Sequence, residues 1–258
     1  MIEFDAETAA ILERAYRGRD FVRRRHANIA ALQPTPGARL LDIGCGTGLM
    51  LAELSGAVGP DGHVTGIDLS EDMLERARAT CEGLPNVTTR IAAADALPFD
   101  DATFDGIVSV QVFEYLGDLS PALAECRRVL KPGGRLVIGD MHFDTLAWHS
   151  DSPARMQAMV DAWDGHFADR AVPAGLLPRL RDAGLRHVES RPVTFVDTEG
   201  RPDGLARMMS ILMPAFARSR NAMPEEEIAA WEAEQARLVA SGGYFFCFTH
   251  VITVAEAI

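Results

Sequence analysis

Residues 40–48 read Leu-Leu-Asp-Ile-Gly-Cys-Gly-Thr-Gly, and a second short apolar run ends in Gly-Ile-Asp at residues 66–68. The first run predicts a buried β-strand that leads into a glycine-rich turn, and the second predicts a strand that ends in a carboxylate. Because the carboxyl ends of parallel strands lie at one edge of a sheet, the two segments predict a nucleotide-type pocket at that edge.

The spacing of the glycines indicates which kind of nucleotide would bind. The dinucleotide pattern needs its third glycine after two intervening residues, but Leu49 stands there and Gly48 comes one residue early. The chain contains no Gly-Lys-Ser/Thr triplet, which argues against a P-loop. Asp42 also places a negative charge before the turn, where it would repel a pyrophosphate. A ligand that carries a positive charge and a ribose fits this pattern better.

The turn resembles the first motif of the class I S-adenosylmethionine-dependent methyltransferases, which reads acidic-x-Gly-x-Gly-x-Gly. The resemblance is specific over residues 38–140, and the whole chain is similar to the ubiquinone/menaquinone-biosynthesis-like (type 11) group that methylates small molecules. Four later segments match further motifs of the family in the expected order: the second strand (66–68), the adenine-edge segment (94–99), the fourth strand (104–109) and the turn before the fifth strand (128–134).

The resemblance implies that the cofactor is S-adenosyl-L-methionine and that the product formed from it is S-adenosyl-L-homocysteine. Asp68 is implied to bind the ribose hydroxyls, and Asp95 the exocyclic amine of adenine. The alternatives are that Asp42 only caps the following helix, that Asp95 only closes a turn and that Tyr16 is an ordinary core residue. The other residues implied to contact the cofactor are Asp42, Gly44, Gly46, Gly48, Leu69, Met73, Ala96, Gln111 and Tyr16.

The candidate catalytic residues are His142, His149 and Glu114. An imidazole that titrates near neutral pH can remove a proton from a hydroxyl or phenol, and His142 follows the predicted fifth strand. Glu114 either contacts the substrate or anchors the loop after the fourth strand. His166 and Asp144 lie in the same region of the chain, but these residues do not have the spacing of a metal site. We therefore expect no metal.

Predicted strands and helices alternate along the chain, which is typical of a parallel sheet covered on both faces. We expect an α/β fold with a Rossmann-like seven-stranded sheet that is mostly parallel and has an antiparallel last strand. The predicted strands are 38–43, 63–67, 87–91, 105–110, 134–139, 187–196 and 244–255, and the predicted helices are 48–56, 71–82, 120–130 and 173–184.

We expect a single domain over residues 1–258, with two helical insertions that form a lid. Apolar stripes and methionines in the insertions either pack onto the core or line an apolar substrate chamber, and both interpretations can hold for different residues. The segments are an N-terminal helical cap (1–36), the cofactor-binding core (37–140), the first insertion (141–172), a core helix and strand (173–196), the helical lid insertion (197–243) and the last strand (244–258).

Composition limits the partners and the compartment. A net charge of −12 argues against nucleic acid or an anionic membrane surface as a partner. The four cysteines form no Cys-x-x-Cys pair, which fits a reducing cytoplasm. The chain shows no signal peptide and no apolar run of about eighteen residues, so we expect a cytoplasmic protein without stable membrane insertion. The sequence is compatible with a homo-oligomer.

These features together predict the transfer of a methyl group from S-adenosylmethionine to oxygen, carbon or nitrogen of an apolar small molecule, such as a secondary metabolite or a quinone. One alternative is an enzyme that keeps the same cofactor and uses it non-canonically for another reaction. The other is a non-catalytic partner protein that binds the cofactor.

Overall fold

The computed structural model describes residues 14–258. Within them the chain forms two compact units. Unit 1 contains the residues up to 24 together with 142–170 and 193–250, and unit 2 contains 25–141, 171–192 and 251–258. The part of the predicted N-terminal cap before residue 14 lies outside the described residues. Across residues 14–258, no helix is long and apolar enough to cross a membrane.

The sheet confirms the predicted α/β class, with a parallel centre and antiparallel last strands. Its strand order is β3-β2-β1-β4-β5-β8-β6, and β7 pairs with β8. The strands are β1 (Arg39–Ile43), β2 (His63–Asp68), β3 (Val87–Ile91), β4 (Phe104–Val110), β5 (Leu130–Met141), β6 (Ala147–Trp148), β7 (Leu185–Asp197) and β8 (Phe246–Ala257).

The sheet has eight strands where the sequence predicted seven. The additional strand is β6, which contains two residues and pairs antiparallel with the first two residues of β8. A pair of residues is too short to show the period-two pattern by which a strand is recognised in a sequence.

The helices found among the described residues cover every helix predicted after residue 36, and they include the helices of both insertions. Ser70 is the N-cap of α3, since its hydroxyl accepts a hydrogen bond from the backbone N–H of Met73 at 3.4 Å. The helices are α1 (Arg19–Leu32), α2 (Leu49–Val58), α3 (Glu71–Thr80), α4 (Ser120–Val129), α5 (Pro153–Asp164), α6 (Val172–Asp182), α7 (Leu205–Arg220) and α8 (Glu225–Ser241).

The central strands of unit 2 are buried along their length, as strands of a parallel sheet covered on both faces should be. Four consecutive residues of β1 are buried, and Leu41 and Ile43 join the apolar core with Ile107 of β4. Because β1 and β4 are held in place by this core, the loops at their carboxyl ends start from fixed positions.

The insertion helices pack around apolar side chains within unit 1. Met159 and Met213 are fully buried, and the Trp148 ring packs edge-on against the Trp231 ring with centroids 5.2 Å apart. For these residues the packing interpretation of the apolar stripes holds. The buried apolar residues of α7 and α8 are Leu205, Ala206, Met208, Met209, Met213, Pro214, Phe216, Ala217, Ile228, Trp231 and Leu238.

Candidate functional site

The glycine turn follows β1 in unit 2 and is fastened to β2. The backbone N–H groups of Gly44 and Cys45 both donate to the carbonyl of Ile67, at 2.8 and 2.9 Å. Gly44, Gly46 and Gly48 have φ values of +71°, +50° and +80°. These values lie in the left-handed region, which glycine adopts at little cost and other residues rarely adopt.

The three glycines differ in what a side chain would meet. A Cβ on Gly44 would lie 2.2 Å from a methyl carbon of Val112, and one on Gly48 would lie 2.9 Å from Cα of Ala77. A Cβ on Gly46 would meet nothing within 4 Å. Gly44 and Gly48 are therefore needed for packing inside the protein, whereas Gly46 borders open space into which a ligand can approach the backbone.

Asp68 ends β2 beside this open space. Its Oδ2 accepts a hydrogen bond from the N–H of Gly46 at 3.0 Å, and its Oδ1 accepts one from the N–H of Ser70 at 2.9 Å. The carboxylate is half-buried, and each of its oxygens can accept a further hydrogen bond. The two backbone donors thus fix the orientation of a carboxylate that can still receive a pair of hydroxyl groups.

Asp42 lies in β1, two residues before Gly44, and is 3% exposed. Its Oδ2 has no hydrogen-bond partner among residues 14–258. Burial, followed by the nearby charge of Asp68, raises the pKa of Asp42 to about 8, so most of this carboxyl group is protonated at neutral pH. Helix α2 has Gly48 as its N-cap and no side-chain cap, so the alternative that Asp42 caps this helix is wrong.

Apolar side chains are exposed at the same edge of the sheet. Leu69 is 73% exposed, and Ile91, which pairs in register with Asp68, is 55% exposed. Met73 is half-buried, and Ala96 is exposed. The sequence analysis did not single out Ile91, although an apolar residue at the carboxyl end of a strand is the signal that would have found it. The apolar side chains at this edge can pack against one face of a flat apolar ring.

Asp95 lies in the turn after β3. Its side chain is exposed and makes no hydrogen bond or ion pair within the described part of the chain. The carboxylate does not itself close the turn, because the backbone bond that does so joins the N–H of Ala96 to the carbonyl of Ala93. Asp95 is therefore available to accept a hydrogen bond from a ligand.

Gln111 follows β4 in a strained conformation. Its φ is +56°, which costs a non-glycine residue on the order of 1–3 kcal/mol. Its backbone N–H donates to the carbonyl of Gly139 at 2.8 Å, and its Nε2 lies 3.5 Å from Oε1 of Glu114. Glu114 is 1% exposed, which favours its alternative role as the anchor of this loop.

Two further polar residues occur near the carboxyl ends of β4 and β5. Ser109 donates a hydrogen bond from Oγ to the carbonyl of Ile43 at 3.2 Å, which joins β4 to the residue before the turn. Asp140 is 1% exposed. The sequence analysis missed both residues, although an acid directly after the apolar run at residues 136–139 was a visible signal for Asp140.

The predicted histidines belong to unit 1, and each has its own surroundings there. The backbone N–H of His142 donates to the backbone carbonyl of Thr249. The Nδ1 of His142 has no hydrogen-bond partner in the described part of the chain. His149 is half-exposed, with Nε2 3.7 Å from Oδ1 of Asp151. His166 stacks on Trp163 with ring centroids 4.3 Å apart, and burial lowers its pKa. The imidazole of His166 therefore has a packing role.

These residues do not form a metal site. The carboxylate of Asp144 pairs instead with the guanidinium of Arg170 at 3.4 Å. Within residues 14–258, no group of three or more His, Cys, Asp and Glu side chains is arranged to hold a metal ion.

Tyr16 also belongs to unit 1, where its ring packs against Phe21 with centroids 5.1 Å apart. The side chain is 41% exposed. At this exposure, the alternative that Tyr16 is an ordinary core residue is wrong.

His149 lies on the wall of a cavity of about 640 Å³ in unit 1. A cavity of this size is in the range that holds small organic ligands. Its apolar lining comes from β6 and the residues before it, from α5, and from the residue before β8. The apolar lining residues are Phe143, Leu146, Ala147, Trp148, Pro153, Met156, Val160 and Phe245.

Comparisons with known proteins find methyltransferases among the relatives of this chain. A family model described as a methyltransferase domain matches residues 41–138. An O-methyltransferase of Aspergillus nomiae is 38% identical over 174 residues, which is 66% of this chain and 72% of the relative. A demethylmenaquinone methyltransferase of Symbiobacterium thermophilum is 38% identical over 122 residues, or 46% of each chain. The chain spans 65%, 59% and 46% of the length of three curated relatives, of which the last is this demethylmenaquinone methyltransferase.

The fold is also similar to a solved structure. A geranyl diphosphate C-methyltransferase from Streptomyces coelicolor, in complex with Mg²⁺, geranyl diphosphate and S-adenosyl-L-homocysteine, superposes with a TM-score of 0.59 at 17% identity. The match covers 92% of this chain and 80% of that chain. At this identity the similarity supports the fold alone.

Proposed function

Because the chain belongs to the class I S-adenosylmethionine-dependent methyltransferase family, we propose that it transfers a methyl group from S-adenosyl-L-methionine to oxygen, carbon or nitrogen of an apolar small molecule. The observation that carries the proposal is the pairing of Asp68 with the open side of Gly46. Backbone N–H groups orient the carboxylate, and the adjacent space admits a ligand directly against the turn.

The residues of unit 2 fit the cofactor. Both oxygens of Asp68 can accept hydrogen bonds from ribose hydroxyls, and the exposed carboxylate of Asp95 can accept one from the adenine amine. The exposed apolar group at Leu69, together with Met73 and Ala96, can cover the adenine ring. When bound, the cofactor supplies a methyl group on a positively charged sulfur, and S-adenosyl-L-homocysteine remains after transfer.

Asp42 can balance the positive charge of the cofactor. Its Oδ2 is buried and unpartnered in the described structure, and leaving such an atom unpaired costs on the order of 1–3 kcal/mol. A cation near Asp42 favours the ionised carboxylate and lowers its pKa from about 8. We infer that cofactor binding releases a proton from Asp42 at neutral pH.

The acceptor side is assigned to unit 1. The cavity beside His149 offers an apolar lining with one imidazole on its wall, which suits an apolar acceptor that must lose a proton. His142 is the second candidate base, because its buried Nδ1 has no partner in the described part of the chain. Tyr16 provides an exposed ring to cover the cofactor, and Gln111 and Glu114 hold the loop after β4.

We propose a cytoplasmic protein that acts without a metal and whose partner is the small-molecule acceptor rather than nucleic acid. The net charge of −12 supports this choice, because phosphate-rich partners would be repelled. A second copy of the chain is compatible with this function.

Incubation with S-adenosylmethionine labelled in its methyl group tests the proposal directly. Candidate acceptors are quinols, phenols and polyketide-like compounds, and we expect label in the small molecule and an equal amount of S-adenosyl-L-homocysteine. Asp68→Asn should abolish most of the transfer, whereas Asp72→Asn, an exposed acid on α3, should leave it unchanged. Cofactor binding without transfer to any acceptor would support the alternative of another reaction or a non-catalytic role.

A further inference from the structure

A second cleft in unit 1 shares no residue with the cavity beside His149. It has a volume of about 640 Å³ and lies between α7 and α8. None of the residues assigned above to the cofactor or to the acceptor lines it. Its volume falls in the range of about 300–1,000 Å³ that is typical of small-molecule sites.

One end of the cleft is a fixed wall formed by the loop at residues 199–201. The carboxylate of Asp197 accepts hydrogen bonds from all three backbone N–H groups of this loop, at 2.9, 2.9 and 3.0 Å. The loop packs so closely on α8 that a Cβ on Gly200 would lie 2.5 Å from a methyl carbon of Val239. Since these contacts hold the loop rigidly, the cleft is preformed.

The opposite end of the cleft is closed by an ion pair between the two helices. Both terminal guanidinium nitrogens of Arg218, Nη1 and Nη2, donate to the carboxylate of Glu232, at 2.9 and 2.7 Å. The charge of Arg218 is therefore already balanced. Between the two ends, the lining is mainly apolar and includes Ile211, Ala215 and Val239.

Polar groups without partners line the same cleft. The Nε2 of Gln235 donates to the carbonyl of His149 at 3.3 Å, which fixes the amide so that Oε1 is the free atom. Oε1 of Gln235 and Nε1 of Trp231 are buried and have no hydrogen-bond partner among residues 14–258. An unpaired acceptor and an unpaired donor therefore lie on one helix, one turn apart.

The cleft also carries one cation whose charge is not balanced. Arg207 lines it, is exposed and forms no ion pair with any residue of the described chain. Tyr244 lies on the same wall, where burial and then the charge of Asp197 raise the pKa of its phenol, so the hydroxyl stays neutral. The polar side of the cleft thus combines a cation with neutral hydrogen-bonding groups.

We propose that this cleft is a second small-molecule site that binds an aromatic hydroxycarboxylic acid. The carboxylate pairs with Arg207, the hydroxyl donates to Oε1 of Gln235, and the ring lies against Ile211 and Val239. A carboxylate is the group that a guanidinium binds best, and a hydroxyl donor satisfies the acceptor that the protein leaves unpaired. The site is independent of methyl transfer.

Calorimetric titration of the full chain without S-adenosylmethionine tests this inference. The probes are 2-, 3- and 4-hydroxybenzoate, with benzoate and phenol as analogues that lack the hydroxyl or the carboxylate. We expect at least one hydroxybenzoate to bind saturably with one molecule per chain, and both analogues to bind about tenfold more weakly or worse. Because the cofactor is absent, the result does not depend on the proposed function.

Matched variants identify the cleft as the site. Arg207→Gln should weaken binding about tenfold or more, and Arg220→Gln, an exposed arginine of α7 outside the cleft, should leave it unchanged. Ala236→Phe should block the cleft, and Ala240→Phe should not. If Ala236→Phe proves unstable to heat, Arg207→Gln decides the outcome. The proposal is overturned if no hydroxybenzoate binds saturably, or if Arg207→Gln binds as tightly as the unmodified chain.

Discussion

The backbone N–H of Gly46 donates a 3.0 Å hydrogen bond to Oδ2 of Asp68, so the turn after β1 and the acid at the end of β2 hold each other in place. Gly46 leaves open space beside the carboxylate of Asp68, and the hydrogen bond to this carboxylate fixes the backbone of the turn. Neither residue alone would form the site. Their contact explains how two residues that are 22 positions apart in sequence act together.

Replacement of Asp68 by Asn should weaken S-adenosylmethionine binding about tenfold or more, because the amide keeps one acceptor oxygen where the carboxylate has two. Equilibrium dialysis with labelled S-adenosylmethionine measures the dissociation constant. Asp72→Asn changes the charge by the same amount at an exposed position of α3 and should leave the constant unchanged. Equal effects of the two variants would mean that only overall charge matters.

Alanine in place of Gly46 should mainly weaken cofactor binding, whereas alanine in place of Gly48 should mainly lower the free energy of unfolding. Gly46→Ala places Cβ in open space, so it should cost about 1 kcal/mol of unfolding free energy through its positive φ but greatly weaken cofactor binding. Gly48→Ala places Cβ 2.9 Å from Cα of Ala77 and should cost about 2–4 kcal/mol. Urea unfolding and cofactor titration of both variants test this contrast, which fails if Gly46→Ala binds normally.

Asp42 should make the protein less stable as the pH rises from about 4 to about 8. Burial raises its pKa from 3.8 to about 8, so in this window the folded state holds a proton that the unfolded state has lost. The linked free energy of unfolding falls by up to about 1.4 kcal/mol per pH unit. Asp42→Asn removes the titrating group and should flatten this dependence in urea unfolding. A variant with the same slope as the unmodified chain would assign the effect to another group.

Glu234→Gln should lower the free energy of unfolding by about 2–4 kcal/mol. The carboxylate is 6% exposed, and its Oε1 accepts hydrogen bonds from Oγ of Ser150 and the N–H of Asp151, both at 2.6 Å. Its Oε2 accepts one from Arg155 at 3.0 Å. Glu232→Gln on the same helix breaks a more exposed ion pair and should cost less than about 1 kcal/mol. Similar losses in both variants would contradict a special role for Glu234.

The sheet and its helices could be predicted from the sequence because their signals are local. The strand expected at 38–43 is Arg39–Ile43, and the helix expected at 71–82 is Glu71–Thr80. A continuous apolar run marks a buried parallel strand, and Ser70 followed by two acids marks a helix start. The two-residue strand β6 has no such local signal, because its pairing depends on residues 246 and 247, about a hundred residues away.

The candidate cofactor-site residues were predicted from the sequence, but the physical surroundings of each could not be. The pKa of Asp42 depends on its burial and on Asp68, which reaches it only through the parallel pairing of β1 and β2. The need for glycine at position 48 depends on Ala77 of α3. Glu234 looked like one more glutamate on an amphipathic helix, and only packing shows it to be buried.

Calorimetric titration of the full chain with S-adenosylmethionine is the most direct test of the central claim, since it needs no knowledge of the acceptor. We predict saturable binding of one molecule per chain, with competition by S-adenosyl-L-homocysteine and proton release near neutral pH in the unmodified chain but not in Asp42→Asn. The absence of saturable binding would contradict the assignment of the glycine turn and Asp68 as a cofactor site.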